Sequence, residues 1–77
     1  MTEPKVIKFD WRELGESLKV RFSLTMTYAG HTFICSENRE LSESAWQSID
    51  SVVRTMECRL KGFIMARINR MIEHDQI

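Results

Sequence analysis

Apolar and polar residues alternate along the N-terminal half of the chain, which predicts β-strands. The clearest alternation runs from residue 18 to residue 28, where large apolar side chains occupy every second position (Leu18, Val20, Phe22, Leu24, Met26 and Tyr28). A period of two is typical of a strand with one buried face. A shorter alternation predicts an earlier strand from Lys5 to Trp11, with Ile7, Phe9 and Trp11 on one side, and the polar stretch 12–17 is expected to connect the two strands.

A third strand is predicted directly after a two-residue turn at Ala29 and Gly30. This turn pairs Tyr28 with His31, Met26 with Phe33 and Leu24 with Cys35, so apolar side chains oppose each other on one face. A shift by one residue would reverse every side chain, so the pattern favours this register. A longer loop that includes His31 is the alternative, because Ala-Gly is a weaker turn signal than Asn-Gly. The charged stretch 37–40 is expected to be a linker.

The C-terminal half has the periodicity of a helix. Its apolar residues recur every three or four positions (Trp46, Ile49, Val53, Met56, Leu60, Ile64, Ile68 and Met71). Ser42 is the expected N-cap, because its hydroxyl can accept a hydrogen bond from the first turn. The predicted fold is therefore α+β, with a three-stranded antiparallel β-meander packed against one long C-terminal helix, in the order β-β-β-α.

Gly62 divides the predicted helix and leaves two alternatives open. A glycine in a helix interior costs about 1 kcal/mol relative to alanine, so the helix is expected either to continue or to kink or break there. A small sheet leaves little surface to cover residues 62–77, which nevertheless carry several apolar side chains. Either a second helix folds back onto the core, or the extension contacts another protein or a second copy.

Length and composition predict one small domain over residues 1–77. The chain has no net charge and 43% hydrophobic residues, a composition that excludes general disorder. It has no apolar run near the 20 or so residues that span a membrane, and no apolar block at its start that is typical of a signal peptide. We therefore expect a cytoplasmic protein that is not embedded in a membrane.

Residues that usually carry catalysis or bind metals are few and scattered. Cys35, Cys58, His31 and His74 have no spacing typical of a metal site. Two cysteines without a secretion signal are expected to be free thiols. Because no nucleophile–base pair or phosphate-binding loop is recognisable, we expect no enzymatic activity, no cofactor, no metal and no small-molecule substrate.

Protein–protein interaction is the first functional hypothesis. A domain of this size buries only about 60% of the surface that its unfolded chain exposes, so a partner chain is expected to stabilise it. The hypothesis is a small regulator or inhibitor, of the type encoded by phages and mobile elements, that forms a homodimer or docks a larger protein through its C-terminal helix. The predicted interface residues are Arg59, Phe63, Ile64, Arg67, Ile68, Arg70, Met71 and Ile72.

Nucleic-acid binding is the alternative hypothesis. Cations on the helix (Arg59, Arg67 and Arg70) or on the polar face of the sheet (Lys8, Lys19 and Arg21) are candidate contacts for DNA or RNA phosphates. Three-stranded sheets can enter a DNA groove. An ordinary solvated surface explains the same charges, so the sequence leaves this choice open.

Overall fold

The computed structural model describes residues 3–15 and 18–77, in which three strands are followed by two helices. The strands β1 (Lys5–Glu13), β2 (Lys19–Tyr28) and β3 (His31–Glu40) form one antiparallel sheet in the order β1-β2-β3. The helices are α1 (Glu43–Gln47) and α2 (Ile49–Glu73). This is the predicted β-β-β-α arrangement of an α+β fold. Residues 16 and 17 of the predicted connection lie outside the described part of the chain.

The β2–β3 hairpin has the register that the sequence predicts. Tyr28 pairs with His31, Met26 with Phe33 and Leu24 with Cys35. Both turn residues have a positive φ, 51° at Ala29 and 80° at Gly30, as a tight two-residue turn between twisted strands requires. The pairing continues to Lys19 opposite Glu40. The charged stretch 37–40, which was expected to be a linker, therefore forms the end of β3.

The first strand is longer and less regular than its alternation suggests. It continues to Glu13, so Arg12 belongs to the strand and pairs with Arg21. A β-bulge between Val6 and Lys8 places Val6, and not Ile7, in register with the core residue Met26. Because of this extra residue, the regular spacing of apolar residues in the sequence does not show which side chains of β1 lie on the core face of the sheet.

The helical region is interrupted at Ser48 and not at Gly62. Ser42 caps α1 as predicted, since its hydroxyl accepts a hydrogen bond from the amide of Ala45 at 3.2 Å. Ser48 has φ −116° and ψ 35°, which ends α1 and precedes α2. From Ile49 to Glu73 the helix is continuous. Of the alternatives that the sequence left open at Gly62, the structure has the helix that continues, and no second helix folds back from that point in the described residues.

The core lies between one face of the sheet and the inner face of α2. Alternate residues of β2 are fully buried and meet a stripe of α2 residues four positions apart (Val20, Phe22, Leu24 and Met26 against Met56, Leu60, Ile64 and Ile68). The helix packs on β2 and β3. No residue of β1 is fully buried, and only Phe9 of that strand is half-buried. The domain is thus a two-layer structure with one partly uncovered edge.

Candidate functional site

Glu37 of β3 connects the sheet to the helix. Its carboxylate accepts a hydrogen bond from Nε of Arg39 at 2.6 Å and another from Nε of Arg59 at 3.0 Å. The Arg59 guanidinium also lies over the ring of Phe63, 4.9 Å from its centroid. The hydrogen bond from Arg39, and then that from Arg59, lowers the pKa of Glu37, against the opposing effect of burial. Glu37 therefore stays ionised between the two arginines.

The eight predicted interface residues do not form one surface. Ile64 and Ile68 belong to the core, with 2% and 1% of their surface exposed, so they have no surface to offer a partner. Met71 is half-buried against the core. Phe63 and Ile72 are 48% and 45% exposed. Nine residues separate them, however, which places them on opposite sides of a helix with 3.6 residues per turn.

The three remaining predicted residues form a continuous strip with Phe63, which we call the arginine flank (Arg59, Phe63, Arg67 and Arg70). Intervals of four, four and three residues place these side chains on one side of α2, and all four are exposed. The strip follows β3: Arg59 binds Glu37, and the positive charge of Arg67 acts on Cys35. Burial and the Glu37 charge raise the pKa of the Cys35 thiol, whereas Arg67 lowers it.

An apolar cleft continues the arginine flank toward α1. Its volume is about 470 Å³, which is within the range of small-molecule and peptide side-chain pockets. Leu41, Val52 and Met56 contribute apolar surface, while Arg39 and Arg59 are among its polar residues. The cleft and the flank together carry four arginines, Arg39, Arg59, Arg67 and Arg70. Two of them, Arg39 and Arg59, bind the Glu37 carboxylate. The sequence does not indicate this cleft, because its charged stretch 37–40 predicts a linker and not a strand beside α2.

The other surface of interest is the face of the sheet that points away from α2, which we call the outer face. The register places on it the predicted nucleic-acid residues Lys8, Lys19 and Arg21, together with Lys5 and Arg12. All five cations belong to β1 or β2, and the outer-face positions of the three strands hold only two carboxylates, Asp10 and Glu40. Arg12 was missed because the sequence placed it in the connection.

Short polar side chains fill the middle of the outer face. Ser23 and Ser36 share a hydrogen bond of 2.9 Å between their hydroxyls, and Nε of Arg21 donates to Oδ1 of Asn38 at 3.0 Å. Nζ of Lys8 lies 3.2 Å from a carboxylate oxygen of Asp10. A shallow cavity of about 330 Å³ lies beside these residues. The structure therefore brings the sheet cations together and keeps them apart from the helix arginines.

The inner side of β1 leaves some apolar surface uncovered. Val6 and Trp11 are 42% and 37% exposed, although both lie in register with buried residues of β2. Trp11 packs edge-on against Trp46 of α1, with 6.2 Å between the ring centroids. The indole nitrogen of Trp46 is buried without a hydrogen-bond partner. This pair closes the end of the core where α2 does not reach.

The histidines and cysteines lie apart from one another. His31 lies next to the ring of Phe33 at the hairpin turn, and His74 caps the end of α2. Cys35 is a half-buried free thiol and Cys58 an exposed one. Among the described residues, no group of three or more histidine, cysteine or acidic side chains is arranged to hold a metal ion. No helix in residues 3–15 and 18–77 has both the length and the apolar character needed to cross a bilayer.

Comparison with protein-family models, curated proteins and solved structures finds no match to this chain.

Proposed function

We propose that the chain is a non-catalytic protein-interaction module, a small regulator or inhibitor that docks an acidic segment of a larger protein. The apolar cleft beside the arginine flank supports this proposal. Interface anchors are commonly aromatic or arginine side chains next to a pocket that excludes water. Arg59 lines the cleft, and its guanidinium lies over the exposed ring of Phe63.

Charge favours an acidic partner over a second copy of the chain. The cleft and the flank carry four arginines against Glu37, and α2 contributes two further cations, Arg54 and Lys61, against Asp50, Glu57 and Glu73, so the helix keeps an excess of positive charge. Two such basic helices repel each other when they are brought together, whereas glutamate or aspartate side chains of another protein are attracted. An apolar side chain of that partner would fill the cleft between Leu41, Val52 and Met56.

Affinity capture with matched bait variants tests this proposal. We compare the parent chain, a flank variant (Phe63→Ser, Arg67→Gln and Arg70→Gln) and an outer-face control (Lys8→Gln, Arg12→Gln and Arg21→Gln) in nuclease-treated lysate of the native cell. Each variant removes three charges or anchors from exposed positions, so the core is unchanged. We expect one set of proteins to bind the parent and the control but not the flank variant.

Two results would contradict the proposal. The first is equal recovery of the same proteins by the flank variant and the parent. The second is a bound surface that is not acidic, as mapped by crosslinking from position 67. Sedimentation equilibrium of the purified proteins supplies a further check. A dimeric parent and a monomeric flank variant would mean that a second copy of the chain occupies the flank.

A further inference from the structure

The outer face of the sheet has the charge of a surface that binds a polyanion. Five cations lie on β1 and β2, whereas the whole chain has no net charge. Two carboxylates, Asp10 and Glu40, lie on the same face, and Asp10 pairs with Lys8, so the face keeps an excess of positive charge. The arginine flank of α2 lies on the other layer of the domain, so this surface is separate from the proposed docking site.

The shape of this face fits a groove in a nucleic acid. Antiparallel neighbours such as β1 and β2 lie about 4.8 Å apart, and the major groove of B-form DNA, about 12 Å wide, admits a two-stranded ribbon. The central side chains, Ser23, Thr25 and Ser36, are short and allow a close approach to base edges. The cations surround this short-side-chain centre at Lys5, Lys8, Arg12, Lys19 and Arg21, from where they can reach phosphates.

The same face carries groups that suit base edges in the major groove. The hydrogen bond from Arg21 restrains the Asn38 side chain, and asparagine is a usual partner of adenine. Ile34 is 64% exposed on this polar face, where it can contact a thymine methyl group. The Asp10 carboxylate, which is otherwise unfavourable near phosphate, can accept a hydrogen bond from a cytosine amino group.

Single-stranded nucleic acids and RNA duplexes fit less well. Proteins that bind single strands stack the bases on aromatic rings. Among the described residues, no outer-face position of the three strands holds an aromatic side chain. The major groove of an A-form RNA duplex is too narrow for side chains to read. We therefore infer that the outer face of the sheet binds double-stranded DNA, with β1 and β2 in the major groove and the outer-face side chains of β3 reaching base edges from beside them.

Fluorescence anisotropy with a labelled 20-base-pair DNA duplex tests this inference. If all five cations contact phosphates, the logarithm of the binding constant falls with the logarithm of salt concentration with a slope of about −4.5. Affinity should then drop about 500-fold between 50 and 200 mM salt. In the outer-face variant Lys8→Gln, Arg12→Gln and Arg21→Gln, the slope should fall in magnitude by about 2.7.

The matched control removes three cations from the helix instead (Arg54→Gln, Arg67→Gln and Arg70→Gln), and circular dichroism confirms that both variants fold. This control should bind the duplex as the parent does. Lack of binding by the parent at 50 mM salt overturns the inference, and so does an equal loss of affinity in the helix control. The inference would also be overturned if the chain bound a single strand, an RNA duplex or polyglutamate as tightly as the DNA duplex. The outer face would then bind anions in general.

Discussion

Ala29 has a backbone conformation that favours asparagine or glycine. Its φ of 51° lies in the left-handed region, which costs an ordinary residue about 1–2 kcal/mol. We predict that Ala29→Asn stabilises the domain by about 0.5–1 kcal/mol, since asparagine tolerates this region. In a domain of this size, the melting temperature should rise by about 2–8 °C. Thermal unfolding followed by circular dichroism measures this change.

Gly30→Ala is the matched control for the turn. Gly30 has a φ of 80° and open space around the position of a Cβ atom, so the added methyl group strains the backbone and meets no neighbour. This variant should lower the stability by about 1 kcal/mol. A lower melting temperature for Ala29→Asn would mean that the turn has a different conformation in solution.

Glu37 should make the stability of the domain depend on pH. Its pKa is lowered in the folded chain, so its contribution is fully present above the unfolded carboxyl pKa of about 4.3 and is lost as the pH falls through the lower folded value. We predict that Glu37→Gln is less stable than the parent at pH 7, by at most about 1 kcal/mol because the arginines are partly exposed. Urea unfolding at pH 7, 4 and 3 should show this difference shrinking.

A double-mutant cycle tests whether the two arginines cause the lower stability of Glu37→Gln. In a background of Arg39→Gln and Arg59→Gln, Glu37→Gln should have a smaller effect at pH 7 than in the parent. An unchanged effect in that background would assign the stability to another property of the glutamate side chain.

At the scale of the elements, Gly62 weakens α2 without any packing reason within the chain. The glycine is exposed in the middle of a continuous helix, and among the described residues no atom beyond its neighbours and the adjoining helix backbone lies within 4 Å of the position of an added Cβ. We predict that Gly62→Ala stabilises the domain by about 0.8–1 kcal/mol, the difference in helix propensity. The urea midpoint should rise, with an unchanged dependence of the unfolding free energy on urea.

Ala66→Gly, one turn further along the exposed side of α2, should lower the stability by a similar amount. These two changes exchange the same residue types in opposite directions on one helix. A destabilising Gly62→Ala would indicate that another chain approaches the helix backbone closely at that position.

The elements differ in how well the sequence predicts them. The register of β2 and β3 follows from alternation together with the turn at Ala29 and Gly30, because a shift by one residue would move Phe33 to the face opposite Leu24 and Met26. The break at Ser48 leaves no such signal, since the apolar spacing continues from Trp46 to Ile49 across it. The bulge at Ile7 was not predicted either, because Ile7, Phe9 and Trp11 alternate regularly in the sequence although the extra residue brings Val6 into register with the core.

At the scale of the whole molecule, the path of α2 decides which residues are accessible. The sequence suggested that residues after Gly62 extend beyond the sheet, on the assumption that one helix begins at Glu43. Because α2 begins at Ile49, its buried segment from Met56 to Ile68 is about 18 Å long and lies over strands about 33 Å long. Ile64 and Ile68 are therefore core residues, which periodicity alone does not distinguish from interface residues.

The same arrangement separates the two candidate surfaces. The arginine flank belongs to the helical layer and the five sheet cations to the opposite side of the sheet. Sequence spacing identified both groups of cations in part, because alternation and helical period report which side chains share a face. Spacing did not identify Glu37, Arg39 and the apolar cleft, since these depend on contacts between β3 and residues more than ten positions away.

The uneven cover of the sheet by α2 also gives the domain two levels of cooperativity. β2, β3 and α2 share the buried side chains, so they lose their structure together. β1 is a terminal strand that contributes backbone hydrogen bonds to β2 and little buried apolar area. Its detachment therefore requires less free energy than global unfolding, and it exposes the free edge of β2 while the hairpin and the helix remain folded. The β1 amide protons that are hydrogen-bonded to β2 should therefore exchange with solvent before those between β2 and β3.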